Sequence, residues 1–238
     1  MDARQLYQAG KIEQAVQALA GELRNDPTDS RRRTFLFELL CFMGEFDRAE
    51  KQLDILSDTS KEAGMGTLIY RSAIQAERLR RDIFEKKNFP QTAAEPVTRT
   101  ILNGTSFGSV EDADPRIGPR LEVFAAGSYL WLPFAQIESI RMEAPKRLRD
   151  LIWIPAVLKT GPRCGGLNLG EVMIPALTPL AFRHSDSSVR LGRQTVWEET
   201  EGETVPIGQK MLLVDGEEFP ILEVRTLEFP VTATAATE

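Results

Sequence analysis

The sequence predicts an α+β protein: a tetratricopeptide-like, superhelical α-α N-terminal domain followed by a mixed, strand-rich C-terminal domain. Three observations predict it. A six-residue string near the N-terminus recurs 34 residues later. Of the 14 prolines, only Pro27 precedes residue 88. Beyond that point short apolar strings alternate with Gly and Pro, the texture of strands joined by tight turns.

The recurring strings are Gly10-Lys11-Ile12-Glu13-Gln14-Ala15 and Gly44-Glu45-Phe46-Asp47-Arg48-Ala49. Their spacing is the tetratricopeptide period, one helix–turn–helix per repeat. Gly10 and Gly44 allow the tight turn between paired helices. Ile12 and Phe46 then start the second helix, and Ala15 and Ala49 are small where the helices cross. Leu6 aligns with Leu40 and Leu19 with Leu53, and Pro27 falls where the first pair must end. Arg33 to Met43 carries Phe35, Leu36, Leu39, Leu40 and Met43 at helical spacing. A third helical stretch, about 64–87, puts Leu68, Ile69, Ala73, Ala76, Leu79, Ile83 and Phe84 on one stripe. Two repeats are fewer than a free-standing solenoid needs, so the third helix and the C-terminal part are expected to cap them.

Asn88 to Pro96 reads as a linker, because its prolines lack amide donors and favour extended backbone. The boundary is placed near 88–98, with a helical domain at 1–90 and a mainly antiparallel domain at 91–230. Residues 231–238 form a Thr/Ala tail expected to be disordered. In the second domain, Leu121–Phe124 and Tyr129–Leu132 flank Gly127-Ser128 as a hairpin. Ile137–Met142, Ile152–Ile154, Val172–Ile174 and Thr195–Trp197 are further strands. Lys210–Val214 and Phe219–Val224 form a second hairpin through Asp215-Gly216.

The chain has 238 residues and a net charge of −6. Residues 1–90 hold equal numbers of basic and acidic side chains, so the whole negative balance lies after them. An acidic chain is a poor binder of phosphate backbones. The longest apolar stretch, Phe124 to Ile137, is broken by Gly127, Ser128, Pro133 and Gln136, too short and interrupted to span a bilayer. The first residues lack the basic-then-apolar pattern of a signal peptide. One His and two Cys leave little material for a metal site or disulfides.

Several groups invite a chemical role. Asp112 and Asp114 in the string Glu111–Asp114 could bind a divalent cation, but no calcium-loop spacing follows, and a capped turn or an ion pair with Arg116 or Arg120 fits better. Cys164 and His184 offer a nucleophile and a base only if folded together. Gly165–Gly170 lacks the Gly-Lys-Ser/Thr ending of a phosphate loop and precedes a strand. Trp131, Trp153 and Trp197 suit core packing better than an aromatic binding face. Arg31-Arg32-Arg33 has Asp26, Asp29 and Glu38 nearby to neutralise it.

Longer strings carry a family resemblance. Arg33 to Leu53, Tyr70-Arg71, Glu77 and Phe84 in the helical part, then Asp112–Pro119, Tyr129–Phe134, Ala144–Pro155, Gln194–Trp197 and Gly208–Lys210, occur in the order found in the ImpE family, also called TagJ or SciE. The likeness covers about residues 1–229. Among the departures, Arg147 stands where an acidic residue is common. The resemblance implies a bacterial cytoplasmic accessory protein of the type VI secretion system, without catalytic residues, cofactor or metal. It implies binding to a helix of the small sheath subunit and a link to the ClpV-type recycling ATPase, with no nucleic acid or membrane partner. A stack of paired helices presents a concave groove for such a helix. Arg32, Arg33, Phe37, Leu40 and Tyr70 are the candidates for lining it, the apolar ones being equally suited to the core. Asp112, Asp114, Arg116, Arg149 and Asp150 mark a candidate C-terminal surface. The alternative reading is an enzyme or a small-ligand or metal binder built around Asp112, Asp114 and Arg116.

Overall fold

The computed structural model describes residues 1–58, 61–90, 94–164, 169–200 and 202–230. Gly165 to Asn168 of the Gly-rich stretch, residues 91–93 of the expected linker, and the tail from residue 231 lie outside them.

Five helices come first: α1 (Ala3–Gln8), α2 (Ile12–Asn25), α3 (Ser30–Phe42), α4 (Phe46–Ser57) and α5 (Lys61–Lys86). Asp2 caps α1, accepting from the Gln5 amide while the Gln5 side chain accepts from the Asp2 amide, a reciprocal capping box. Asp29 caps α3 through the Arg32 amide, so this helix begins at Ser30, three residues earlier than the apolar spacing suggests. The 34-residue repeat is visible in the backbone bonds themselves. The Gly10 amide donates to Tyr7 and the Lys11 amide to Leu6, and the Gly44 and Glu45 amides repeat this on Cys41 and Leu40. Both glycines have positive φ, +74° and +66°. Ile12, Phe46, Ala15, Ala49, Leu19 and Leu53 are all buried at equivalent places.

The expected stripe of α5 is corrected by the structure. Ala73, Ala76 and Phe84 are buried, but Leu68, Ile69 and Leu79 are exposed. Ile74, Arg80 and most of Glu77 take the inward places instead. Charged residues occupy core positions, which an apolar-only reading of the helix cannot register.

The remainder is antiparallel sheet. Strands β1 (Thr100–Leu102), β2 (Thr105–Phe107), β3 (Val110–Asp112), β4 (Arg120–Ala125), β5 (Ser128–Pro133), β6 (Ile137–Met142), β7 (Trp153–Thr160) and β8 (Gly170–Pro175) precede a four-residue helix, α6 (Ser187–Arg190). Then come β9 (Thr195–Thr200), β10 (Glu203–Gly208), β11 (Met211–Val214), β12 (Glu217–Pro220) and β13 (Thr226–Glu228). The main sheet runs β2-β1-β13-β6-β7-β8-β4-β5, with smaller sheets β12-β11-β3 and β10-β9. The β4–β5 turn is Ala126-Gly127, one residue earlier than expected, with φ of +48° and +82°. Asp215-Gly216 turns similarly, as expected. The expected run Phe219–Val224 stops at Pro220 and continues as a 3-10 turn, Ile221–Glu223, which buries both Ile221 and Val224. Among the described residues no helix is long and apolar enough to cross a membrane.

Two apolar cores result. One lies within the sheet layers, around Leu121, Val123, Ile140, Ile154 and Leu158. The other belongs to the helices but takes in Phe124, Ile152, Trp153, Leu177 and Ala181 from the strand-rich part. Alternation along β4 explains the division: Leu121 and Val123 enter the sheet core, while Glu122 and Phe124 face the helices.

Candidate functional site

Aromatic rings of α3 and α5 meet a segment from the other half of the chain. Trp153 stacks on Tyr70, ring centres 6.2 Å apart, and lies 6.4 Å from Phe37. The Arg149 guanidinium sits 4.8 Å from the Tyr70 ring and 3.3 Å from Glu38. Leu148 to Trp153 therefore fills this face of the helices in cis. Phe37 and Leu40, expected to line a groove, are at 1% and 0% exposure and belong to the core. Tyr70 is half-buried under Arg149.

Beside this plug the α1–α3 side stays open as a groove of about 670 Å³. Tyr7 and Phe35 meet edge-to-face at 5.7 Å on its wall, and Leu148 adds an aliphatic contact surface. Five cations line it, Arg4, Arg31, Lys146, Arg147 and Arg149, against one carboxylate, Glu38. Glu38 is buried, and burial raises its pKa despite the opposing pull of Arg149. Lys146 pairs with Glu143. Among the described residues, Arg4, Arg31 and Arg147 have no carboxylate partner. Asp150 holds the loop beneath them, one carboxylate oxygen accepting from the Lys146 and Arg147 amides at 2.9 Å each.

The three consecutive arginines of α3 go to three different surroundings, because successive helical residues point about 100° apart. Arg32 binds Asp29 and Glu22 on the surface. Arg33 is buried, its guanidinium donating to the Gln52 side chain at 2.8 Å and to the Pro27 carbonyl. Arg31 alone turns into the groove, so nearby acids neutralise only part of the run.

A second arrangement ties α5 to the sheets. Arg80, 3% exposed, donates from Nε and Nη2 to both oxygens of Glu122, at 2.7 and 2.8 Å. Nη2 also donates to the Leu177 carbonyl at 2.9 Å. Lys210 Nζ lies 2.6 Å from Glu122 and contacts Asp112. Glu77 lies 3.6 Å from Arg80 and accepts from the Trp153 indole at 3.1 Å. Three carboxyls thus share two cations almost wholly out of water, Glu77 keeping 14% of its side chain exposed, and this excess of negative charge favours the protonated form of one of them. Burial, partly offset by Lys210, lifts Asp112 to about 7. For Glu122 burial is outweighed by Arg80 and Lys210, which hold it at about 2. Burial raises Glu77 as well.

Asp114 is fully buried, and Arg116 forks onto it with contacts of 2.8 and 2.5 Å. Asp112 and Asp114 are therefore engaged in cis by Lys210 and Arg116. Among the described residues no cluster of His, Cys, Asp and Glu has metal-holding geometry. Nor does any hydrogen bond join Cys164 to His184: His184 accepts from the Asp186 amide and lies 3.3 Å from Glu198, while Cys164 packs on the sheet core. The three tryptophans are dispersed, with Trp153 buried, Trp131 packed against Phe84 and Phe89, and Trp197 exposed. A cavity of about 30 Å³ beside the charged cluster, edged by Cys41, Glu77, Arg80 and Thr178, has room for about one water.

Fold and site define an α+β protein whose helix pairs are pinned to a sheet by buried charges and carry one open basic groove. A family model described as ImpE protein matches residues 104–228. The type VI secretion system accessory component TagJ of Pseudomonas aeruginosa is 31% identical, with 98% of this chain and 92% of that protein covered. The chain belongs to the ImpE family. A crystal structure of protein VPA1032 from Vibrio parahaemolyticus shares its fold, with a TM-score of 0.83, 23% identity, and 96% and 97% of the two chains covered.

Proposed function

We propose that this chain is a non-enzymatic accessory component of a bacterial type VI secretion system, acting in the cytoplasm. In this reading its helix pairs are tetratricopeptide-like and dock a helix of the small sheath subunit. The chain then links sheath material to the ClpV-type recycling ATPase. Support comes from the 31% identity to a protein named as such an accessory component, and from the repeated glycine turns of the two helix pairs. The observation that carries the binding role is the open groove of about 670 Å³ on the helical side, of a size that receives several side chains of a partner.

The test is a titration of the full chain with the cognate purified small sheath subunit, followed calorimetrically. The isolated helical fragment is a poor reagent, because its core includes Trp153, Ile152 and Leu177 from the other half. Saturable binding, weakened by a Phe35→Glu substitution in the groove, is the expected result. An absence of binding by the full chain sinks the sheath assignment.

A further inference from the structure

Elsewhere in this protein Arg32, Arg71, Arg78, Arg80 and Arg116 each hold a carboxylate within 3 Å, while others, Arg99 and Arg141 among them, hold none among the described residues. Among the described residues Arg4, Arg31 and Arg147 hold none either, and what sets them apart is that they reach one groove from three separate elements, α1, α3 and the loop before the 3-10 turn at Leu148. Like charges gathered without counter-charges repel one another. The protein has carboxylates to spare, with a net charge of −6, yet among the groove-lining residues the only one is Glu38, already engaged by Arg149.

We infer that the groove receives an acidic polypeptide segment. Its carboxylates face Arg4, Arg31 and Arg147, and its apolar side chains lie on Phe35 and Leu148. This rests on the groove being a partner's docking site and adds the partner's chemistry: carboxylates beside apolar residues, in place of a purely apolar helix face. The Asp150 carboxylate, by bonding the Lys146 and Arg147 amides, is the positioning residue that fixes the loop bearing two of the cations. A nucleic acid fits less well. Its specific interfaces bury roughly 1,000–2,500 Å², and phosphate binding by a chain of net charge −6 is disfavoured.

The experiment measures anisotropy of a labelled helix-forming peptide with Glu on one face and Leu and Phe on the other. The same peptide with every Glu replaced by Gln, a single-stranded RNA, and vesicles of anionic lipid are run beside it. The full chain is compared with the double variant Arg31→Glu/Arg147→Glu and with Arg99→Glu, an exposed arginine outside the groove. The Glu peptide should bind at least about tenfold more tightly than its Gln copy, and more weakly as salt is added. The double variant should lose about tenfold or more in affinity, while Arg99→Glu should lose none. Equal binding of the Gln copy, no binding of the Glu peptide, or an unaffected double variant overturns the inference. So does tighter binding of RNA or vesicles through the same arginines. The sheath subunit is titrated in parallel. Binding of the subunit unchanged by the double variant overturns the inference alone, whereas peptide binding without subunit binding overturns the sheath reading alone.

Discussion

Arg80 and Arg31 lie on two helices of one stack and have opposite fates. Arg80 is 3% exposed and is met by Glu122, Glu77 and the Leu177 carbonyl. Arg31 is exposed and, among the described residues, has no carboxylate within reach. The first fastens α5 to β4; the second adds charge to an open surface. Ionic groups out of water are costly to leave unpaired, whereas exposed ones contribute little to stability and remain free to meet another molecule. The largest expected effect follows from breaking the buried side. Arg80→Met leaves Glu122 with Lys210 and the donated Tyr129 hydroxyl, and strips Glu77 of its cation. It should destabilise the protein by about 3–5 kcal/mol, read from urea midpoints. Adding Glu122→Leu should recover part of that loss, and a double variant no better than Arg80→Met shows that the pair is not the source.

The two glycine turns sharpen the same contrast. A Cβ at Gly44 would sit 2.7 Å from the Arg81 guanidinium and the Phe182 ring, whereas at Gly10 it would meet nothing within 4 Å. Both backbones have positive φ, so Gly10→Ala and Gly44→Ala share a conformational cost of roughly 1–2 kcal/mol. Gly44→Ala should exceed Gly10→Ala by about 1–3 kcal/mol for the added crowding. Thermal unfolding of the two variants side by side decides it; equal losses would place the cost in the backbone alone.

The buried cluster also carries a pH signature. Asp112 is raised from 3.8 to about 7. Between those values the folded protein binds its proton more tightly than the unfolded chain does, so its contribution to stability falls as pH rises. Glu122, held at about 2, works oppositely, and its contribution is lost as pH falls from 4.5 towards 2. Asp112→Asn should therefore flatten the decline in stability between pH 5 and pH 7. Some slope should remain, since Glu77 and Glu38 are raised too. Urea midpoints at both pH values test this, and an unchanged slope assigns the decline to other groups.

These effects fall where the sequence is hardest to read. The helix pairs were legible because their signal is local: a glycine with positive φ at the turn and an apolar residue two places on recur with the 34-residue period. Eight strands, β4 to β9, β11 and β12, are legible as short apolar strings between Gly and Pro; β1, β2, β3, β10 and β13 are not, and neither is Asn103-Gly104, which turns β1 into β2 with φ of +48° and +84°. The charged cluster was not legible. Arg80, Glu122 and Lys210 are far apart in the chain and look like surface residues until β4 turns one face to α5. Glu77 and Lys210 stand out only within family strings, and Asp112 only as one of a local acidic cluster, neither of which tells that they meet. Phe37 and Leu40 read equally as groove or core in the sequence, because helical spacing cannot tell an inward face from a concave one that Trp153 has already filled. Arg4, Arg31 and Arg147 form no run, so only tertiary structure gathers them. The nearest sequence clue was Arg31-Arg32-Arg33, whose members a 100° rotation sends to solvent ion pair, core and groove.

The smallest expected effect concerns the open side. Arg31→Glu/Arg147→Glu removes no ion pair among the described residues, both arginines being exposed, and it converts repulsion among the groove cations into attraction toward Arg4 and Lys146. Stability should stay within about 0.5 kcal/mol of the parent protein at moderate salt. Any change at low salt should be a gain that shrinks as salt screens the groove. Urea unfolding at two ionic strengths measures it. A loss comparable to that of Arg80→Met would make these arginines structural. A neutral or stabilising result would mean that the cations are maintained at no benefit to folding, as expected where a surface is kept for a partner rather than for the fold.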